Sequence, residues 1–227
     1  MRRIWSLSFT PTLVGAIALG VLFLGDTILS VGFGAKIAWT RREQARVRTR
    51  LDSLERTVDS LQRVDHLRAL VVRACSGRID PRDATVLARE IDWNARLYDF
   101  DPLLILAVVL TESGGQFEAL GHHSGGKLSG AIGVMQIQPI TARAMSQELG
   151  LEAPVPEDLL DPSYNVRIGV AFLLKMIHRY GDLRMGILAY NMGPVALENR
   201  LRGNAALPER YVQVVMGTYR RLRSDSP

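Results

Sequence analysis

Hydrophobic and polar positions divide this chain into three stretches of different rhythm. From about Leu7 to Ala35 apolar and small residues run almost unbroken, with Asp26 the single charge. That length exceeds the ~20 residues a helix needs to cross the hydrocarbon core of a bilayer. A cleaved signal peptide, with a small-residue site near Ser30-Val31-Gly32 or Gly32-Phe33-Gly34, is one reading. An uncleaved signal anchor over residues 1–38 is the other. The length of the run and the lack of an Ala-x-Ala at its end favour the anchor.

Residues 41–73 read as one helix. Val47, Leu51, Leu54, Val58 and Leu61 recur in steps of four and three, a narrow heptad seam among Arg, Glu, Asp and Gln. Asp65 falls where the next seam residue belongs, and Val64, Leu67, Leu70 and Val71 resume on a shifted face. The stretch 39–75 is therefore either a short stalk that forms a homodimer through residues 41–73 or a helix lying on its own domain.

Beyond Ser76-Gly77 and Asp80-Pro81 the rhythm becomes that of short helices. Val86, Leu87, Ile91, Ala95 and Leu97 predict a helix over 83–98. Asp101-Pro102 gives an N-cap followed by proline at the first helical position. The helix it opens, 102–111, is apolar nearly all round and belongs in the core. Further helices are predicted over 139–150, from Asp161-Pro162 to Tyr180 with Gly181 as its stop, over 183–190 and over 208–222. No segment alternates with period two for long, so the expected class is all-α, with a globular domain over 76–227.

Charge sharpens this division. The net +5 of the 227 residues is concentrated at the front: residues 1–75 carry +6 and residues 76–227 carry −1. A nearly neutral main domain argues against nucleic acid as a partner. Cys75 is the single cysteine, so neither an intrachain disulfide nor a cysteine-rich metal site can form. Lys36, Arg41, Arg42, Arg46, Arg48 and Arg50 follow the apolar run, whereas Arg2 and Arg3 precede it. The positive-inside rule alone would leave the main domain in the cytoplasm.

Glu112 stands out chemically. It directly follows Leu103 to Thr111, at the negative end of a helix dipole and among apolar neighbours. Both disfavour ionisation and raise the pKa. A carboxyl kept protonated near neutral pH suits a general acid. A helix-terminal glutamate turned to solvent is the bland alternative.

The segments around Glu112 decide between these. Glu112-Ser113, then Gly133-Val134-Met135-Gln136, then Ala189-Tyr190-Asn191, then Tyr211-Val212 occur in this order. Gln138-Pro139-Ile140-Thr141-Ala142, Leu160-Asp161-Pro162, Asn165 and Gly169 lie between them. This series resembles the catalytic domain of the family 1 soluble lytic transglycosylases, related in fold to goose-type lysozyme. The likeness runs from about Ala84 to Leu222. It implies a lysozyme-like helical domain acting on the glycan strands of peptidoglycan. The bond implied is N-acetylmuramyl-β-1,4-N-acetylglucosaminyl, with 1,6-anhydromuramyl ends as product. It implies Glu112 as the single acid/base and Ser113 as a brace for the following loop. Met135 and Gln136 are expected to line the sugar groove, Tyr190 and Asn191 to flank the carboxyl, with the Tyr190 hydroxyl orienting it, and Tyr211 to stand near the same cleft. No metal and no cofactor are implied. Such a substrate lies outside the cytoplasmic membrane, so the anchored domain is expected to be extracytoplasmic despite the basic residues behind the apolar run.

Two features depart from the family pattern. Phe117 is followed by Glu118-Ala119 instead of Asn-Pro, and the loop from His122 to Ser129 is expanded. The serine expected beside the substrate's acetamido group is Ser124 or Ser129. His122 and His123 are adjacent in a Gly-rich loop without a third ligand, which favours a surface or sugar contact over a metal. A hydrolytic muramidase and a weakly active peptidoglycan-binding scaffold of an envelope machine are the competing functions.

Overall fold

A computed structural model describes residues 11–76, 79–122, 126 and 128–226, with backbone alone for 11–35, 37, 38 and 122. Helix α1 spans Pro11–Ala74. The side chains of the apolar run expected to form an anchor thus lie outside the described residues. Among those described, no helix is long and apolar enough to cross a membrane.

The chain divides into a unit of residues 1–59 and a unit of residues 60–227. In the first, the seam residues Val47, Leu51, Leu54 and Val58 are each at least half exposed. In the second, Leu61 is still open to solvent, whereas Leu67, Leu70 and Val71 are buried in the hydrophobic core. The phase shift at Asp65 is the point where the helix stops presenting an open seam and starts contributing to the core.

The second unit is built from helices with local start signals. Helix α2 spans Pro81–Leu97, α3 spans Pro102–Glu112 and α5 spans Pro162–Tyr180. Each begins with Asp-Pro, and the aspartate accepts from a backbone N–H of the first turn: Asp80 from Arg82 at 2.7 Å, Asp101 from Leu103 at 2.8 Å, Asp161 from Ser163 at 2.7 Å. The cap satisfies an orphan donor, and the proline has none to lose. Helix α5 ends at Gly181 in the left-handed conformation, as its sequence predicts. Helix α4 covers Pro139–Glu148, α6 covers Leu183–Met192 and α8 covers Arg210–Ser224. Leu104 to Val109 of α3 are all buried, and α3 packs on α8 and α2 while α5 packs on α6 and α2.

Helix α7 over Pro194–Arg202, a short 3-10 turn over Pro156–Leu160 and a two-stranded hairpin lie outside the sequence expectation. Helix α7 buries Leu197 alone, so it leaves little hydrophobic periodicity to read. The all-α class is also not complete. Strand β1, Leu120–His122, pairs antiparallel with β2, Leu128–Ile132, in a two-stranded sheet. Three and five residues are too few for alternation to stand out. The molecule remains mostly helical, and the hairpin projects from the loop between α3 and α4.

Buried ionic and amide groups fix the helices around this loop. Asp92 of α2 takes Arg63 at 3.1 Å and Arg96 at 3.0 Å. Asn165 of α5 accepts from the Met135 N–H at 2.8 Å and donates to the Ile132 and Leu159 carbonyls at 2.9 and 2.8 Å. Gly133 allows this approach, since a Cβ there would lie 2.3 Å from both the Asn165 amide and the Leu159 carbonyl. The segment after the hairpin is thereby pinned against α5.

Candidate active site

The pinned segment, the end of α3, and helices α4, α5 and α6 with the turn into α7 border a cleft of about 1130 Å³. Glu112 lies in its lining, at the last residue of α3. Burial pushes its carboxyl from the usual 4.5 to about 7, against the opposing effect of a hydrogen bond from Tyr211. Among the described lining residues Glu112 is the single carboxyl. Glu118 is exposed and outside the lining, and Glu209 is paired with Arg184.

The Tyr211 hydroxyl, near the start of α8, donates to Glu112 Oε1. The hydrogen bond expected from Tyr190 thus comes from Tyr211. Tyr190 is buried at the base of the cleft, and its hydroxyl donates to the Met135 carbonyl at 2.7 Å. Tyr190 therefore ties α6 to the pinned segment, although the Glu112 charge still reaches it. Burial first, and the nearby Glu112 next, hold both phenols well above their usual range, so each remains a donor.

Met135 is likewise not where the motif suggested. It is fully buried and outside the lining, with its side chain against Gly169, where a Cβ would come within 2.4 Å of its sulfur. Its neighbour Gln136 does line the cleft. Gln136 adopts a positive φ of 49°, and its amide donates to the Ala119 and Gly133 carbonyls at 3.0 and 2.8 Å. The turn sends one side chain into the core and the next toward the cleft.

Ser113 braces the loop after α3. Its hydroxyl contacts the Val109 and Val134 carbonyls at 3.2 and 2.9 Å, and accepts from the Gly115 N–H at 3.0 Å. Asn191 is exposed in the lining. Of the two candidate serines, Ser129 lines the cleft, while Ser124 lies outside the described residues. His123 and the His122 side chain also lie outside them. The motifs gave no hint of the α5 wall, formed by Phe172, Lys175, Met176 and Arg179. Their spacing of three, four and seven was a legible signal for one helical face.

A mostly helical domain with one largely desolvated carboxyl in the lining of its cleft fits the class of lysozyme-like transglycosylase domains. The fold agrees with the 70 kDa soluble lytic transglycosylase of Escherichia coli, at a TM-score of 0.50 and 22% identity over 74% of this chain and 30% of that one. The family model described as Transglycosylase SLT domain matches residues 91–213, and the chain belongs to that family. A transglycosylase of Enterobacteria phage PRD1 is 38% identical over 96 residues, 42% of this chain and 31% of the phage protein. The membrane-bound lytic murein transglycosylase E of Buchnera aphidicola subsp. Baizongia pistaciae (strain Bp) is 36% identical over 81 residues, 35% of each protein. The chain thus spans about a third of the length of these relatives.

Proposed function

We propose that this domain is a peptidoglycan lytic transglycosylase with Glu112 as its acid and base. The observation that carries the reading is a lone, largely desolvated carboxyl, its pKa raised to about 7, in the lining of a cleft of about 1130 Å³. Half protonated at neutral pH, Glu112 delivers a proton to the glycosidic oxygen. The muramyl N-acetyl group supports the positive charge that develops at the anomeric carbon. Glu112, now ionised, removes the proton of the muramyl 6-hydroxyl, which closes the 1,6-anhydro ring. Hydrolases of the ordinary kinds place a second carboxylate within ~5–9.5 Å. Glu112 has no such companion among the described lining residues, which favours intramolecular closure over hydrolysis.

Ser113, Met135 and Tyr190 act in this reading by shaping the cleft, Tyr211 by holding the carboxyl, and Gln136 and Asn191 by meeting the sugar. The chemistry requires no metal or cofactor. Mass spectrometry of the released muropeptides tests it. Anhydro ends are one water lighter than reducing ends and resist borohydride, so mainly reducible products would make the protein a muramidase.

For the remainder we propose an anchor over residues 1–38, a stalk from residue 39 that pairs two copies through the open seam from Val47 to Leu61, and a catalytic domain outside the inner membrane that takes in the buried end of α1 together with residues 76–227. The apolar run, the open seam and the membrane-bound relative support this arrangement. A reporter active only outside the cytoplasm, fused after Pro227, is expected to be active, and a silent one would overturn the localisation.

A further inference from the structure

The cleft carries positive charge for which a neutral glycan has no use. Phe172, Lys175, Met176 and Arg179 share one face of α5, and all four line the cleft. Phe172 meets the ring of Tyr190, with centroids 5.5 Å apart, at the base near Glu112. From there the helix rises roughly 10 Å to Arg179, at about 1.5 Å per residue. The stripe thus leads away from the carboxyl, with one cation a turn on and a second a further turn on. Lys175 and Arg179 are the cations among the described lining residues.

Both cations have partners behind them. Lys175 pairs with Glu148, and Arg179 with Glu198 at 2.5 Å. Neither glutamate belongs to the lining. The four side chains are 34–48% exposed, and ion pairs this open contribute little. An ammonium offers three donors and a guanidinium five, so each keeps N–H groups for a second carboxylate. The glutamates hold the cations at the cleft edge without consuming them.

A chain of N-acetylated sugars offers hydroxyls and acetamides, which Ser129, Gln136 and Gln138 of the same lining can meet. It carries no charge. In peptidoglycan the negative charge resides on the muramyl substituent: on the carboxylates of the peptide, or on the lactyl carboxylate where no peptide is attached. We propose that Lys175 and Arg179 form a subsite for carboxylates of that substituent. The subsite rests on the glycan-cleaving reading above and adds a preference for substituted strands over neutral ones.

The test compares wild type with the Lys175→Gln/Arg179→Gln double variant on three substrates. These are intact peptidoglycan, peptidoglycan with its carboxylates converted to amides, and strands stripped of peptide by an amidase, which leaves the lactyl carboxylate. The variant is expected to lose roughly five- to tenfold in kcat/KM on intact peptidoglycan, a loss of the size that two exposed ion pairs supply. On the amidated substrate the two proteins are expected to converge, which also shows that the variant folds. A loss on stripped strands as large as on intact ones would mean that the subsite also accepts the lactyl carboxylate freed by the amidase, and recovery there would assign the anion to the peptide alone. An equal loss on amidated and intact substrate, or no loss on either, would overturn the subsite while leaving the glycan-cleaving reading in place. A wild type that cleaves none of the three would instead overturn that reading, and the subsite with it.

Discussion

Tyr211 and Glu112 are separated by 99 positions in sequence and joined by a hydrogen bond, the phenol donating to the carboxyl. Packing of α8 on α3 brings them together. The bond favours the ionised carboxyl, while burial favours the neutral one, and burial wins. Because Tyr211 belongs to α8, the protonation of Glu112 depends in part on how that helix sits.

Replacing Glu112 by Gln is expected to abolish glycan release while leaving the fold intact. General acid–base groups contribute ~10²–10⁴-fold, and here one group performs both transfers. Turbidity clearance of purified peptidoglycan provides the rate, and circular dichroism checks the fold. A variant retaining more than a tenth of wild-type activity would exclude Glu112 as the acid.

Tyr211→Phe removes the one interaction that lowers the Glu112 pKa. The carboxyl should then stay protonated to higher pH. The alkaline limb of kcat/KM, expected near pH 7 in the wild type, is predicted to move upward in the variant. An unmoved limb with an unchanged rate would mean that the bond neither tunes nor positions the acid. Tyr190→Phe serves as the contrast, since its hydroxyl binds the Met135 carbonyl and its loss should cost stability first.

What could be read in the linear sequence follows from how local each signal is. The caps Asp101 and Asp161 act within two or three residues, so the starts of α3 and α5 were legible, whereas Asp80-Pro81 reads only as a break and the periodicity places the helix after it from 83 instead of 81. The position of Glu112 behind an apolar helix was equally local. The hairpin and α7 bury too little to impose a period. That the hydrogen bond comes from Tyr211 and not from Tyr190 was not legible, because which phenol reaches the carboxyl depends on the docking of α6 and α8. Met135 and Gln136 are adjacent in a motif but point apart, through a positive φ that no pattern of residue types announces.

Gly169→Ala tests the junction beneath the cleft. Its Cβ would lie 2.4 Å from the Met135 sulfur and 2.8 Å from the Met135 Cβ. The sulfur can swing away, but the Cβ moves only with the pinned segment. Overpacking of this kind costs about 1–3 kcal/mol. A urea titration should show the lower midpoint, and activity should fall more than stability alone explains, because Gln136 moves with Met135.

Leu54→Lys tests the open seam. Leu54 is 55% exposed, so within one chain the substitution should cost little. In a paired stalk it would place two ammonium groups in the apolar interface. Sedimentation of the full chain in detergent is expected to give a dimer for wild type and a monomer for the variant, with catalytic activity retained. A monomeric wild type would leave the seam without a role in self-association.

The raised pKa of Glu112 also predicts a stability cost that the same Glu112→Gln variant should relieve. A carboxyl near 4.5 when unfolded and about 7 when folded binds more protons in the folded state between those values. Stability therefore falls as pH rises from about 4.5 through 7, and the loss is complete above 7. A tenfold change in proton affinity is worth about 1.4 kcal/mol, so a rise of this size carries a penalty approaching ~3 kcal/mol. Glutamine is neutral at every pH and fits nearly the same space. The variant should thus match wild type below pH 4.5 and unfold at a higher temperature at pH 8, with the gap opening between these limits. Parallel melting curves across that range measure it. A gap independent of pH would mean that the carboxyl is solvated in the folded protein. Such a carboxyl would be ionised at neutral pH and unable to donate the proton on which the proposed chemistry depends.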